Sequence, residues 1–157
     1  MAKSNIWKCT KAKPTNELIE KLVDIVSKGG NYLLNIGPSP EGEFDSVAYD
    51  RLKEIGVWMK LNGNAIYGTR MYKLFGEGEN IRFTQSKDGK TLNIFLFNYP
   101  QGNVHIKNVT FNAKSTVKLI GSNQKLKWKA TGEGVDISLP ASLKSVTDHV
   151  WVLQVQL

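Results

Sequence analysis

The chain has 157 residues, 41% of them hydrophobic and 22% charged, with a net charge of +7. That length suits one ordinary domain or two small ones and falls short of the roughly 200 residues a closed (β/α)8 barrel needs. One cysteine, Cys9, excludes a disulfide framework and a multi-cysteine zinc site, and no apolar run approaches the ~20 residues of a membrane span.

The sequence begins MAKSNIWKCT, without the apolar core of a signal peptide. Pro14 and Thr15 then mark a helix start, with Thr15 as the predicted N-cap. Leu18, Ile19, Leu22, Val23, Ile25 and Val26 follow at helical spacing. Gly29 and Gly30 supply the stop. Residues 31–37, NYLLNIG, are apolar on both faces, which predicts a strand buried in a parallel sheet. A Pro- and Gly-containing loop leads to Asp45, the predicted cap of a second helix with Ala48, Leu52, Ile55, Trp58 and Met59 facing inward. Asn62-Gly63 ends it.

After about residue 70 the hydrophobic period changes to two. Residues 81–86 and 91–99 flank Lys87-Asp88-Gly89-Lys90, a hairpin signal. Strands are expected at 103–109, 116–120, 126–131, 135–139 and 149–157, a spacing typical of an antiparallel sandwich. Phe95, Phe97, Trp128, Trp151, Leu153 and Val155 are its candidate core. The fold class is therefore an α+β composite. A partial α/β segment of helix, strand and helix, residues 1–68, precedes an antiparallel β-sandwich, residues 69–157. The first part is physically incomplete, because a two-faced strand needs neighbours on both edges and this stretch supplies none.

Basic residues concentrate in the second part, where residues 71–157 hold 11 Lys/Arg against 6 Asp/Glu. Lys125, Lys127 and Lys129 alternate with Leu126, Trp128 and Ala130, the pattern of a solvated strand face. No nucleic-acid recognition motif accompanies them. The triplet Asn108-Val109-Thr110 matches a glycosylation sequon, a pattern that often arises by chance.

Chemistry-bearing residues are sparse. Glu41, Glu43 and Asp45 follow the predicted strand, on the side where α/β folds keep their sites. A turn at Glu41-Gly42 and a helix cap at Asp45 account for them more simply than a catalytic pair. His105 and His149 lie in separate strands without metal-ligand spacing. Cys9 has no companion histidine, and Ser39 lacks a nucleophile-elbow context. No metal site and no cofactor motif is present.

The segments ELIEKLVDIVSKGGNYLLNIGPSPEGEF and RLKEIGVWMKLNGNAIYGTR resemble the end of the catalytic domain of the α-L-fucosidases, glycoside hydrolase family 29. The run VKLIGSNQKLKW resembles part of that family's C-terminal sandwich. The resemblance covers nearly the whole chain. It implies a parent retaining exo-glycosidase that releases terminal L-fucose from fucosylated glycans. An Asp nucleophile and a Glu acid/base do the chemistry, without metal or organic cofactor. Both carboxylates come from earlier barrel strands whose motifs do not occur here, so no catalytic residue is expected in this chain. By the same resemblance Trp7 and Asn35 are candidate substrate contacts, and residues 31–37 are the last barrel strand. Gly29, Gly30, Asn31, Gly37 and Pro38 are its turn and end positions. The family implies a secreted, periplasmic or lysosomal setting for a full-length enzyme.

Two further expectations follow. Apolar surface on Leu33, Leu34, Ile36 and both helices must be covered by the sandwich, a second copy or the rest of a barrel. The alternative function is a non-catalytic carbohydrate-binding module, with Trp128 and Tyr99 as an aromatic platform.

Overall fold

A computed structural model describes residues 12–157. Helix α1 (Thr15–Ser27) begins after Pro14, whose extended backbone occupies the cap position without a side-chain bond. Thr15, the predicted cap, is instead the first helical residue, and its hydroxyl donates to the Glu54 carboxylate across to the second helix. A Schellman motif ends α1. The Gly30 N–H donates to the Ile25 carbonyl and the Gly29 N–H to Val26, both at 2.9 Å, with Gly29 at φ +81°. Helix α2 (Ser46–Asn62) is capped as its sequence predicts, the Asp45 carboxylate accepting from the Ala48 N–H at 2.7 Å. Trp58 is its buried anchor, while Ile55 and Met59 pack at the margin and Leu52 is exposed.

Nine strands follow: β1 (Thr69–Glu77), β2 (Ile81–Ser86), β3 (Thr91–Leu96), β4 (Gly102–Lys107), β5 (Thr116–Leu119), β6 (Lys125–Leu126), β7 (Trp128–Ala130), β8 (Gly134–Leu139) and β9 (Trp151–Gln156). They form a six-stranded sheet, β1-β2-β3-β9-β5-β6, and a three-stranded sheet, β4-β8-β7, in which each strand runs antiparallel to its neighbours. The segment predicted as one strand at 126–131 divides at Lys127. Leu126 pairs with Val117 in the large sheet, whereas Trp128 pairs with Ile137 in the small one. A strand that changes sheets closes one corner of the sandwich.

Alternation assigns the faces. Leu92, Ile94, Leu96, Leu153 and Val155 point between the sheets, with Ile106, Val135, Ile137 and Leu139 opposite. Phe95, Phe97 and Val152 point outward and meet Ile19, Val23 and Trp58 of the helices. The core predicted around Phe95 and Phe97 thus exists, but it lies in the helix layer. The central strands β3 and β9 are buried on both faces because the helices cover their outer one.

β1 escaped the sequence reading. Its side chains do not alternate in burial, and a bulge separates Met71 from Gly76. Gly76 is required there, because a Cβ would collide with the Ile81 carbonyl.

Candidate functional site

Residues 31–37 do not form a strand, and the segment joins neither sheet. The physical reason is the one its pattern implies. Strand backbone needs a partner for its N–H and C=O groups, and no described segment lies beside this one to pair with it. Its burial alternates: Tyr32, Leu34 and Ile36 are half-buried, while Asn31, Leu33, Asn35 and Gly37 are exposed. Leu33 is 81% exposed, and Tyr67 at 72% and Val57 at 67% are open elsewhere on the helical part. The expected cover for this surface is therefore only partial within the described residues, and the sandwich takes one side of the helix pair only.

Between α1, the 31–37 segment and the turn before β1 lies an open groove of about 680 Å³. Leu18, Leu22, Val26, Leu34, Ile55 and Tyr67 are among its apolar and aromatic lining, and Arg70 and Lys87 supply its cations. No Asp or Glu lines it. Asn31 reaches this groove, whereas Asn35 is exposed outside it. Gly37 and Pro38 are exposed and lead into a tight loop. Trp7, with Cys9, lies outside the described residues.

The loop carboxylates follow the structural reading. Ser39 Oγ accepts from the Glu41 and Glu43 N–H groups, and the Ser39 N–H donates to the Glu43 carbonyl at 2.7 Å. Gly42 takes φ +87° at the turn. Both glutamates are exposed.

A carboxylate grouping that sequence order concealed sits elsewhere. A groove of about 830 Å³ between α2 and residues 145–149 is lined by Asp50, Glu54, Asp148 and His149. The Thr15 hydroxyl, then the Arg51 charge, hold the Glu54 carboxyl below its ordinary range despite partial desolvation, the opposite of an acid catalyst. Among the described residues no group of three His, Cys, Asp or Glu side chains is arranged to hold a metal ion.

The proposed aromatic platform is also absent. Tyr99 donates to the Pro140 carbonyl at 2.6 Å and packs edge-on to Trp151. Trp128 packs edge-on to Phe111 and donates to the Ser115 carbonyl at 3.0 Å. Both turn toward the sandwich interior. His105 pairs with Asp136 at 2.6 Å on the outer side of the small sheet.

Comparison with known proteins matches this arrangement to one family. The α-L-fucosidase profile matches residues 2–64, and the profile of the α-L-fucosidase C-terminal domain matches residues 77–156. Tissue α-L-fucosidase of Mus musculus is 34% identical over 143 residues, covering 88% of this chain and 32% of that protein. The α-L-fucosidase of Dictyostelium discoideum is 35% identical over 125 residues, covering 79% and 26%. The crystal structure of Thermotoga maritima α-fucosidase superposes with a TM-score of 0.83 at 29% identity, covering 94% of this chain and 36% of that one. The same enzyme has been solved in complex with fucose. The chain thus spans about a third of the length of the relatives it matches. A helix pair on a nine-stranded antiparallel sandwich, matched by both profiles, places the chain in the α-L-fucosidase family.

Proposed function

We propose that this chain is the C-terminal portion of an α-L-fucosidase, a retaining exo-glycosidase that removes terminal L-fucose from glycans. Residues 1–68 are the end of its catalytic barrel and residues 69–157 its C-terminal sandwich. The chain's own part is structural. The sandwich holds α1 and α2, and α1 launches the 31–37 segment, which becomes the last barrel strand once neighbouring strands lie on its two edges. Asn35 would then stand near the sugar, at the strand end that faces the site, with Trp7 a second candidate sugar contact.

The observation that carries this reading is the unpaired 31–37 segment, which joins neither sheet, leaves Leu33 81% exposed and lies beside a groove without a carboxylate. Retaining hydrolysis needs two carboxyl groups about 5–5.5 Å apart, one attacking the anomeric carbon and one protonating the leaving oxygen. Those two groups belong to the rest of the barrel, so the 157-residue chain does not hydrolyse fucosides by itself.

The test is a chimera. The chain replaces the corresponding last third of Thermotoga maritima α-fucosidase, and hydrolysis of an aryl α-L-fucoside is measured. Activity above that of the truncated enzyme alone supports the reading. A soluble, folded chimera without activity counts against it.

A further inference from the structure

The six-stranded sheet has an outer face that the helices cover only in part. Register places Thr84, Asn93, Gln154, Lys118 and Lys125 in one rung across β2, β3, β9, β5 and β6. The next rung carries Thr91, Gln156 and Thr116. Thr84 and Asn93 are buried under the turn that follows α2, Thr84 donating to the Ala65 carbonyl and the Asn93 amide donating to Thr84. From there outward the face opens, with Gln154 half-buried and Thr116, Lys118, Lys125 and Gln156 exposed.

Two properties set this face apart. Its strand positions from Thr84 to Lys125 offer hydroxyl, amide and ammonium groups and no carboxylate; Asp88, in the β2–β3 turn, is engaged by Ser86 and the Lys90 N–H. Lys118 and Lys125 are also direct register partners, and neither makes an ion pair among the described residues. Like charges directly opposite in a sheet are destabilising. An anion seated between the two ammonium groups relieves that repulsion, and charge-assisted bonds to it are the strong kind. The buried Asn93 Oδ1, which has no donor among the described residues, lies in the same rung beside Gln154.

We propose that this face, centred on Lys118, Lys125, Gln154, Gln156 and Thr116, is a binding site for an anionic oligosaccharide. Amides and hydroxyls match sugar hydroxyls, and the lysine pair matches a sulfate or carboxylate substituent. The site is separate from the 31–37 groove, and it stands whether or not the chain is part of a fucosidase, because it is read by binding to the chain itself.

The experiment is titration calorimetry of the 157-residue chain with four probes. They are a sulfated galactan oligosaccharide, its desulfated counterpart, an oligogalacturonate, and a short single-stranded DNA of matched charge. Millimolar or tighter binding of an anionic sugar is expected, with affinity falling as salt rises. The sulfated and uronate arms tell which anion is preferred. Lys118→Gln with Lys125→Gln weakens binding about tenfold, whereas Lys53→Gln with Lys60→Gln on α2 leaves it unchanged. Circular dichroism confirms that both pairs fold. No binding of either anionic sugar, equal binding of the desulfated sugar or of DNA, or an equal loss in the α2 variant overturns the proposal.

Discussion

The Trp58 indole N–H donates to the Val150 carbonyl at 2.8 Å, joining the middle of α2 to the residue that leads into β9 across 92 positions of sequence. The ring is 2% exposed and fills the junction with Ile19, Ala65, Phe95 and Val152. This one side chain supplies both packing area and the partner of a buried carbonyl. Trp58→Phe keeps much of the area but strands that carbonyl, at a cost of about 1–3 kcal/mol. Trp58→Ala adds a cavity and costs about 3–5 kcal/mol. Urea unfolding of the two variants should rank them in that order.

A second tie carries a pH dependence. Arg82 of β2 reaches Asp24 of α1 at 2.6 Å and is flanked by Phe75 and Phe97, while Lys28 approaches the other Asp24 oxygen at 2.7 Å. Burial pushes the Asp24 carboxyl up, but the Lys28 and Arg82 bonds and charges outweigh it and hold it below its ordinary value. A carboxyl depressed in the folded state stabilises fully above its unfolded value, about 3.9, and loses that contribution as pH falls through the folded value. Thermal melts between pH 6 and pH 2 should therefore show an acid-side decline. Asp24→Asn should flatten part of it while lowering stability at neutral pH.

Close backbone approach predicts a contrast between two neighbouring glycines. A Cβ at Gly134 would collide with the Ile106 carbonyl across the β4–β8 pair, whereas a Cβ at Gly132 meets nothing within 4 Å. Gly134→Ala should cost about 1–3 kcal/mol, as overpacking does. Gly132→Ala should change the melting temperature little.

How far the sequence could be read depended on where each segment finds its partners. The hairpin around Gly89, the Asp45 cap and the Gly29-Gly30 stop are local, and all three stand where sequence places them. Thr15 was misassigned as a cap because the acceptor of its hydroxyl, Glu54, is 39 residues away. β1 was missed because Met71, Leu74 and Phe75 break the alternation and remain exposed. The 31–37 segment has the composition of a buried strand but pairs with no described strand, and only Tyr32, Leu34 and Ile36 are half-buried. Sequence reports the environment a segment is built for, and on the proposed reading that environment is the rest of a larger fold. The grouping of Glu54, Asp148 and His149 was invisible for the reason that applies to Thr15, since it depends on a long-range contact.

Leu33 separates stability from assembly. At 81% exposure it contributes little to the isolated chain, so Leu33→Asp should shift unfolding by no more than about 0.5 kcal/mol. In the chimera with the Thermotoga maritima enzyme the same change places a carboxylate where a barrel strand should be buried, and activity should be lost. An equal, small effect in both settings would mean that residues 31–37 stay exposed in the assembled enzyme.

The most direct test is turnover by the purified 157-residue chain on an aryl α-L-fucoside at high protein concentration. The account predicts none above the rate in buffer, because the groove beside residues 31–37 holds no carboxylate and the Glu54 carboxyl of the second groove is held below its ordinary range. Measurable hydrolysis that disappears in Glu41→Gln or Glu43→Gln would contradict it and move the chemistry into this chain.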